Sequence, residues 1–104
     1  MNTKNISKII ENLKKEGYQD IFIWKDTKGT YYNWHKHPYN EIRVMLKGEM
    51  VINTKNKKYH LKEGDILDVP AGEEHEAYVL KDCEYICGSK IWYNYKKAHQ
   101  EAAG

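Results

Sequence analysis

His35-Lys36-His37-Pro38-Tyr39-Asn40-Glu41, set within Gly29-x5-His35-x-His37-x3-Glu41-x6-Gly48, decides how this chain reads. Residues i and i+2 of a strand face the same side, so His35 and His37 look into one cavity. Pro38 biases His37 toward the extended conformation, and Pro38-Tyr39-Asn40 supplies residues that reverse the chain. Glu41 then opens the returning strand, facing the two histidines across the pair. A second block, Gly64-x5-Pro70-x-Gly72-x2-His75, brings one more imidazole from downstream. Three imidazoles and one carboxylate suit a divalent transition ion: Fe, Mn, Ni, Cu, Co or Zn. The expected ligands are His35, His37, Glu41 and His75.

Outward from this stretch the chain reads as short strands. Ahead of it, Ile6, Ile9, Ile10 and Leu13 follow the i, i+3, i+4, i+7 rule of an amphipathic helix. Thr3 or Asn5 is placed to cap its start and Gly17 to end it. After the helix the period becomes two. Asp20-Ile21-Phe22-Ile23-Trp24-Lys25 reads as a strand, followed by segments near 30–37, 41–47, 49–54, 57–62, 66–69, 75–80 and 83–92. Lys47-Gly48, Lys55-Asn56, Lys62-Glu63-Gly64-Asp65 and Ala71-Gly72 mark turns. Many short, evenly spaced strands with glycine-containing turns predict an all-β fold, a small antiparallel barrel or jelly roll with one N-terminal helix. The expected boundaries are a helix within 1–18, a barrel over 19–95 and a tail over 96–104.

The two blocks resemble the paired signature motifs of the cupin superfamily, small antiparallel β-barrels with a metal inside. The motifs and the stretch between them cover Gly29 to Val79, about half the chain. Where many members end the second motif with asparagine, this chain has Val79. That asparagine is not a metal ligand in the family, so the four-ligand set is intact. The resemblance implies a cupin barrel holding its metal through His35, His37, Glu41 and His75. Glu41-Ile42-Arg43 is also similar to the corresponding stretch of acireductone dioxygenases, which are longer. That likeness carries over the arginine's role and not the substrate.

Arg43 lies two positions after Glu41, so parity places its guanidinium on the ligand face. A charge facing an interior is costly unless paired. It either pairs with Glu41 or another acid, or forks onto a carboxylate, phosphate or enediolate oxygen of a substrate. Tyr31 and Asn33 share parity with His35 and His37 and are expected to line the same cavity, with the Tyr31 phenol facing a metal-bound water. Met45 reads as a barrel-filling side chain. The acidic run Glu73-Glu74-x-Glu76 reads as a solvated turn, and His60 and His99 belong to no motif.

Composition narrows the remaining choices. A chain of 104 residues suits one domain with a modest core. A net charge of +2, with both signs interspersed, leaves no footprint for nucleic acid, and Lys55-Asn56-Lys57-Lys58 reads as a solvated loop. No signal peptide or membrane span is evident, so the expected compartment is the cytoplasm. Cys83 and Cys87 stand roughly 13 Å apart along a strand, beyond the ~7 Å reach of a disulfide, and read as free packing thiols. Exposed strand edges and aromatic residues such as Trp24, Trp92 and Tyr93 suggest a homodimer. The function that fits best is a metalloenzyme of dioxygenase, isomerase or lyase type acting on a small oxygen-rich or anionic molecule. The alternatives are a non-catalytic, metal-dependent sensory module and a structural or storage protein.

Overall fold

The computed structural model describes residues 3–91, with side chains from residue 5 onward. Trp92, Tyr93, His99, the last positions of the expected barrel and the 96–104 tail lie outside the described residues. Helix α1 (Thr3–Lys15) precedes six strands: β1 (Gln19–Asp26), β2 (Tyr31–His35), β3 (Asn40–Thr54), β4 (Lys58–Leu61), β5 (Ile66–Val69) and β6 (His75–Lys90). Every pairing is antiparallel.

Two long strands organise the rest. β3 and β6 pair along nearly their whole lengths, from Asn40↔Lys90 to Thr54↔His75. Their first and second halves belong to different layers. Residues 41–44 of β3 also pair with β5, and residues 50–53 with β4. On β6, residues 83–89 pair with β1 and residues 75–78 with β2. One layer is thus β1-β6-β3-β5 and the other β2-β6-β3-β4, a jelly-roll arrangement in which one sheet folds over on itself.

The fold-over occurs at Gly48. Register slips on both sides of it, between Met45 and Met50, as expected where a strand bends and changes sheet. Gly48 has φ +83°, and an added Cβ would lie 2.2 Å from the Asp82 carbonyl oxygen on β6. Only glycine allows the backbones to approach so closely. The segments expected separately at 41–47 and 49–54 are therefore one bent strand, and those expected at 75–80 and 83–92 form another that ends at Lys90. Lys47-Gly48 is a bulged corner and not a turn between strands.

The core has two parts. Between the layers lie Met45, Met50, Ile52, Leu61, Ala77, Val79, Cys83, Tyr85 and Cys87. On the outer face of the first layer, Ile42, Val44, Leu46 and Ile86 meet Leu13 and Tyr18, with Ile6, Ile9 and Ile10 packed alongside. The first half of β3 is consequently buried on both faces, its odd positions inward and its even positions under the helix. Gly17 (φ +95°) ends α1 with paired bonds, Tyr18 N–H to Leu13 O and Gly17 N–H to Lys14 O. This is a Schellman cap, and it delivers Tyr18 into the same cluster as Leu13. Asn5 lies inside the helix and does not precede it.

Gly48→Ala should destabilise the fold by roughly 3 kcal/mol or more, since strain at positive φ adds to a backbone clash. Gly64→Ala, at φ +88° but with open space around the new Cβ, should cost about 1 kcal/mol. Urea denaturation of the two variants measures the difference. Equal losses would contradict the tight corner.

Candidate metal centre

Three imidazoles converge at the junction of the layers. His35 closes β2, His37 follows in the loop, and His75 opens β6 as the register partner of His35. One ligand nitrogen from each lies within 4.8 Å of the others. Ring centroids are 4.2 Å apart for His35 and His75, 4.9 Å for His35 and His37, and 5.5 Å for His37 and His75.

The backbone fixes which nitrogen each ring offers. His35 Nδ1 is 2.6 Å from the Asn33 carbonyl, and His75 Nδ1 is 2.9 Å from the Glu73 carbonyl. A carbonyl can only accept, so Nδ1 carries the proton in both rings and Nε2 keeps its lone pair. This is the arrangement that orients metal-binding histidines. His75 is fully buried, and its Nε2 has no hydrogen-bond partner among the described residues. A buried acceptor without a partner is costly, and a cation is the ligand that clustered imidazole nitrogens can share. Burial lowers the His75 and His37 pKa from the ordinary 6.5, with Glu41 acting against the shift at His37. Both rings favour the neutral form that ligation requires.

Glu41 faces two ways. Its Oε1 is 2.6 Å from Arg43 Nη2, and its Oε2 is 3.7 Å from His37 Nε2. The ion pair is the partner that a buried guanidinium needs. It does not exhaust Arg43, whose residue is 7% exposed and whose Nε and Nη1 have no partner among the described residues. Arg43 therefore pairs with Glu41 and keeps two further nitrogens buried and unengaged among the described residues.

Tyr31 and Asn33 do not join the site. His35 pairs with His75 and Tyr32 with Ala77, so three residues of β2 span two of β6. This β-bulge inverts parity, and Tyr32, not Tyr31, shares the inward face with His35. Tyr31 lies outside, 44% exposed, stacked near Tyr78 and donating to Glu76 Oε1 at 2.7 Å. Asn33 accepts from the Trp34 amide. Glu76 is correspondingly not a solvated turn residue. It is buried, and bonds from Tyr31 and then Asn53 hold its carboxyl below the usual range. Met45 is fully buried core, and His60 pairs with Glu49 at 3.0 Å on the surface.

Beside His35 and His37 opens a cavity of about 210 Å³, lined by these two rings, Glu41, Arg43, Cys87 and four aromatic residues, Phe22, Trp24, Tyr32 and Tyr85. The aromatic wall is the part that sequence reasoning missed. Asp26 organises it, accepting from Tyr32 at 2.7 Å, Tyr85 at 2.7 Å and Trp24 Nε1 at 3.0 Å. Phe22, Trp24 and Asp26 alternate along β1, a pattern visible in the sequence. What they face was not visible.

The Cupin domain family model matches residues 22–88, well over half of the chain. The chain belongs to the cupin family. It is 32% identical over 69 residues to an acireductone dioxygenase of Rhodopseudomonas palustris (strain TIE-1), an alignment covering 58% of this chain and 42% of that protein. This cupin therefore spans under half the length of that relative. Its fold is similar to a cupin superfamily protein from Desulfitobacterium hafniense (TM-score 0.64, 22% identity, 68% of this chain and 65% of that one). It is likewise similar to a predicted oxalate decarboxylase from Thermotoga maritima (TM-score 0.62, 24% identity, 77% and 72%).

Both cysteines of this cupin are free and buried in β6, as expected. Burial pushes the Cys83 thiol up to about 11 and the Cys87 thiol up to about 12, so neither is nucleophilic near neutrality. The histidines set the pH response. Unfolding returns His37 and His75 to 6.5, so the unfolded chain takes up protons first as pH falls. In chelator-treated protein, stability should be fully retained above pH 6.5 and should decline below it. Thermal unfolding at several pH values measures the decline, and His75→Gln should flatten it. An unchanged pH profile in His75→Gln would show that this ring is not held neutral.

Proposed function

We propose that this cupin binds one divalent transition ion through His35, His37, Glu41 and His75 and uses Arg43 to read an anionic oxygen of a small substrate. The observation that carries the reading is the buried His75 Nε2, without a partner among the described residues, beside two further imidazoles. The donor set, three nitrogens and one hard oxygen, suits Fe, Mn, Ni, Cu, Co or Zn. Glu41 is placed to serve both neighbours, with one oxygen on Arg43 and the other turned toward His37. A bound ion would supply Lewis-acid polarisation of a chelated oxygen, or a redox centre.

The chain's own contribution follows from charge. Glu41 is the one carboxylate among the described pocket-lining residues, and it would face both a bound dication and Arg43. The excess positive charge, in surroundings of low dielectric, selects an anionic substrate. Reaction class is dioxygenase, isomerase or lyase, with the acireductone dioxygenase likeness favouring oxygen-rich, enediol-like substrates. We place the protein in the cytoplasm, where its two free thiols remain reduced. No helix among the described residues is long and apolar enough to cross a membrane. We further propose a homodimer. Tyr31, Tyr78 and Leu80 are each more than 40% exposed on the outer face of β2 and β6, an apolar patch fit for a second copy.

Elemental analysis of protein purified without a metal-affinity tag should find about one transition ion per chain. His37→Ala should weaken retention by at least about tenfold, and His60→Ala should leave it unchanged. Protein that arrives metal-free and refuses all six ions on titration would overturn the assignment. Arg43→Lys should keep the ion while lowering substrate affinity or turnover by well over about tenfold. An effect on stability alone would make Arg43 a structural partner of Glu41. Light scattering should give twice the monomer mass at micromolar concentration, and a monomer would refute the dimer.

A further inference from the structure

The cavity beside the histidines has two chemically different ends. At one end Arg43, more than nine-tenths buried, holds Nε and Nη1 without partners among the described residues. At the other stand Phe22 and Trp24, edge to face at 5.7 Å and 47% and 45% exposed. The polar tips of this wall are already engaged. Trp24 Nε1 and the Tyr32 and Tyr85 hydroxyls all donate to Asp26, so what the wall offers a ligand is carbon. Arg43 and Phe22 are both register partners of Cys87. They therefore stand two strand spacings apart, roughly 10 Å between backbones. The cavity of about 210 Å³ is smaller than the ~300–1,000 Å³ of drug-sized sites.

From these observations we infer that the pocket takes a small organic anion carrying an aryl group, its anionic head on Arg43 and its ring against Phe22 and Trp24. The inference deepens the anion-reading role proposed above for Arg43 and rests on it. Four aromatic side chains around one small cavity favour a flat, apolar group, because ring-to-ring contacts add to the burial of area. The exposed wall is a binding surface waiting for such a ring, and the buried guanidinium fixes which end of the ligand enters first.

The test is calorimetric titration of zinc-loaded protein with three compounds: phenylpyruvate, pyruvate and phenylacetone. The first carries head and ring, the second the head alone, the third the ring without the carboxylate. Phenylpyruvate should bind at least about tenfold more tightly than either. Phe22→Ala, at an exposed position that does not threaten folding, should bring phenylpyruvate down to the level of pyruvate. Ile66→Ala, 63% exposed on β5 and away from the cavity, should change nothing. Equal binding of phenylpyruvate and pyruvate would overturn the aryl assignment while leaving the anion site standing. Insensitivity of both acids to Arg43→Lys would instead sink the anion site, and the aryl inference with it. Absence of phenylpyruvate binding to fully zinc-loaded protein overturns the inference as well. So does a Phe22→Ala variant that dissociates a dimer and leaves the ranking of the compounds intact, since the wall would then belong to a second copy. Failure to load zinc at all counts against the metal reading alone, because the same series on metal-free protein still reports the ring preference.

Discussion

The close approach of β3 and β6 at Gly48 is the constraint on which the site depends. Glu41 and Thr54 stand thirteen positions apart on β3, and Thr54 pairs with His75. On a straight strand that separation is about 43 Å. Yet Glu41 Oε2 is 3.7 Å from His37 Nε2, and His37 offers a nitrogen within 4.8 Å of His75. The ladder must therefore double back near its midpoint. Gly48 supplies the bend by letting β3 lie against the Asp82 carbonyl, where any side chain would collide.

Burial then does chemical work. The same fold-over that encloses Met45, Met50 and Ile52 between the layers removes water from His75 and Arg43. Desolvation favours the neutral form of His37 and His75 and makes each unpaired polar atom expensive. Among the described residues of the histidine cluster and the cavity beside it, His75 at Nε2 and Arg43 at Nε and Nη1 carry such atoms. One is a lone pair suited to a cation and the other a set of donors suited to an anion. Their proximity explains why a metal and an anionic substrate belong in one reading. The helix contributes from outside, since α1 seals Ile42, Val44 and Leu46 on the opposite face of the strand that carries Glu41 and Arg43.

The sequence disclosed the histidine cluster because ligand spacing is local. His35 and His37 sit two apart, and Glu41 returns after a proline turn. The all-β class and the helix followed from periodicity alone. Other features were hidden for physical reasons. Gly48 reads equally well as a turn or as a bulged corner, so the bent β3 reads in the sequence as two strands. The bulge between Tyr32 and His35 costs one residue of register and leaves no mark in composition, so parity assigned Tyr31 to the wrong face. Glu76 sits in an acidic run, and only Tyr31 and Asn53 from other strands reveal it as buried. Asp26 gathers donors from β1, β2 and β6, a convergence that exists only in three dimensions.

The central claim is that three imidazoles and one carboxylate share a single ion. X-ray absorption spectroscopy of zinc-loaded protein tests it most directly. The expected first shell holds three imidazole nitrogens at about 2.0–2.1 Å and at least one carboxylate oxygen at about 2.0–2.2 Å, with no sulfur. A shell with fewer than three imidazoles, or one containing sulfur near about 2.3 Å from Cys87, would contradict it.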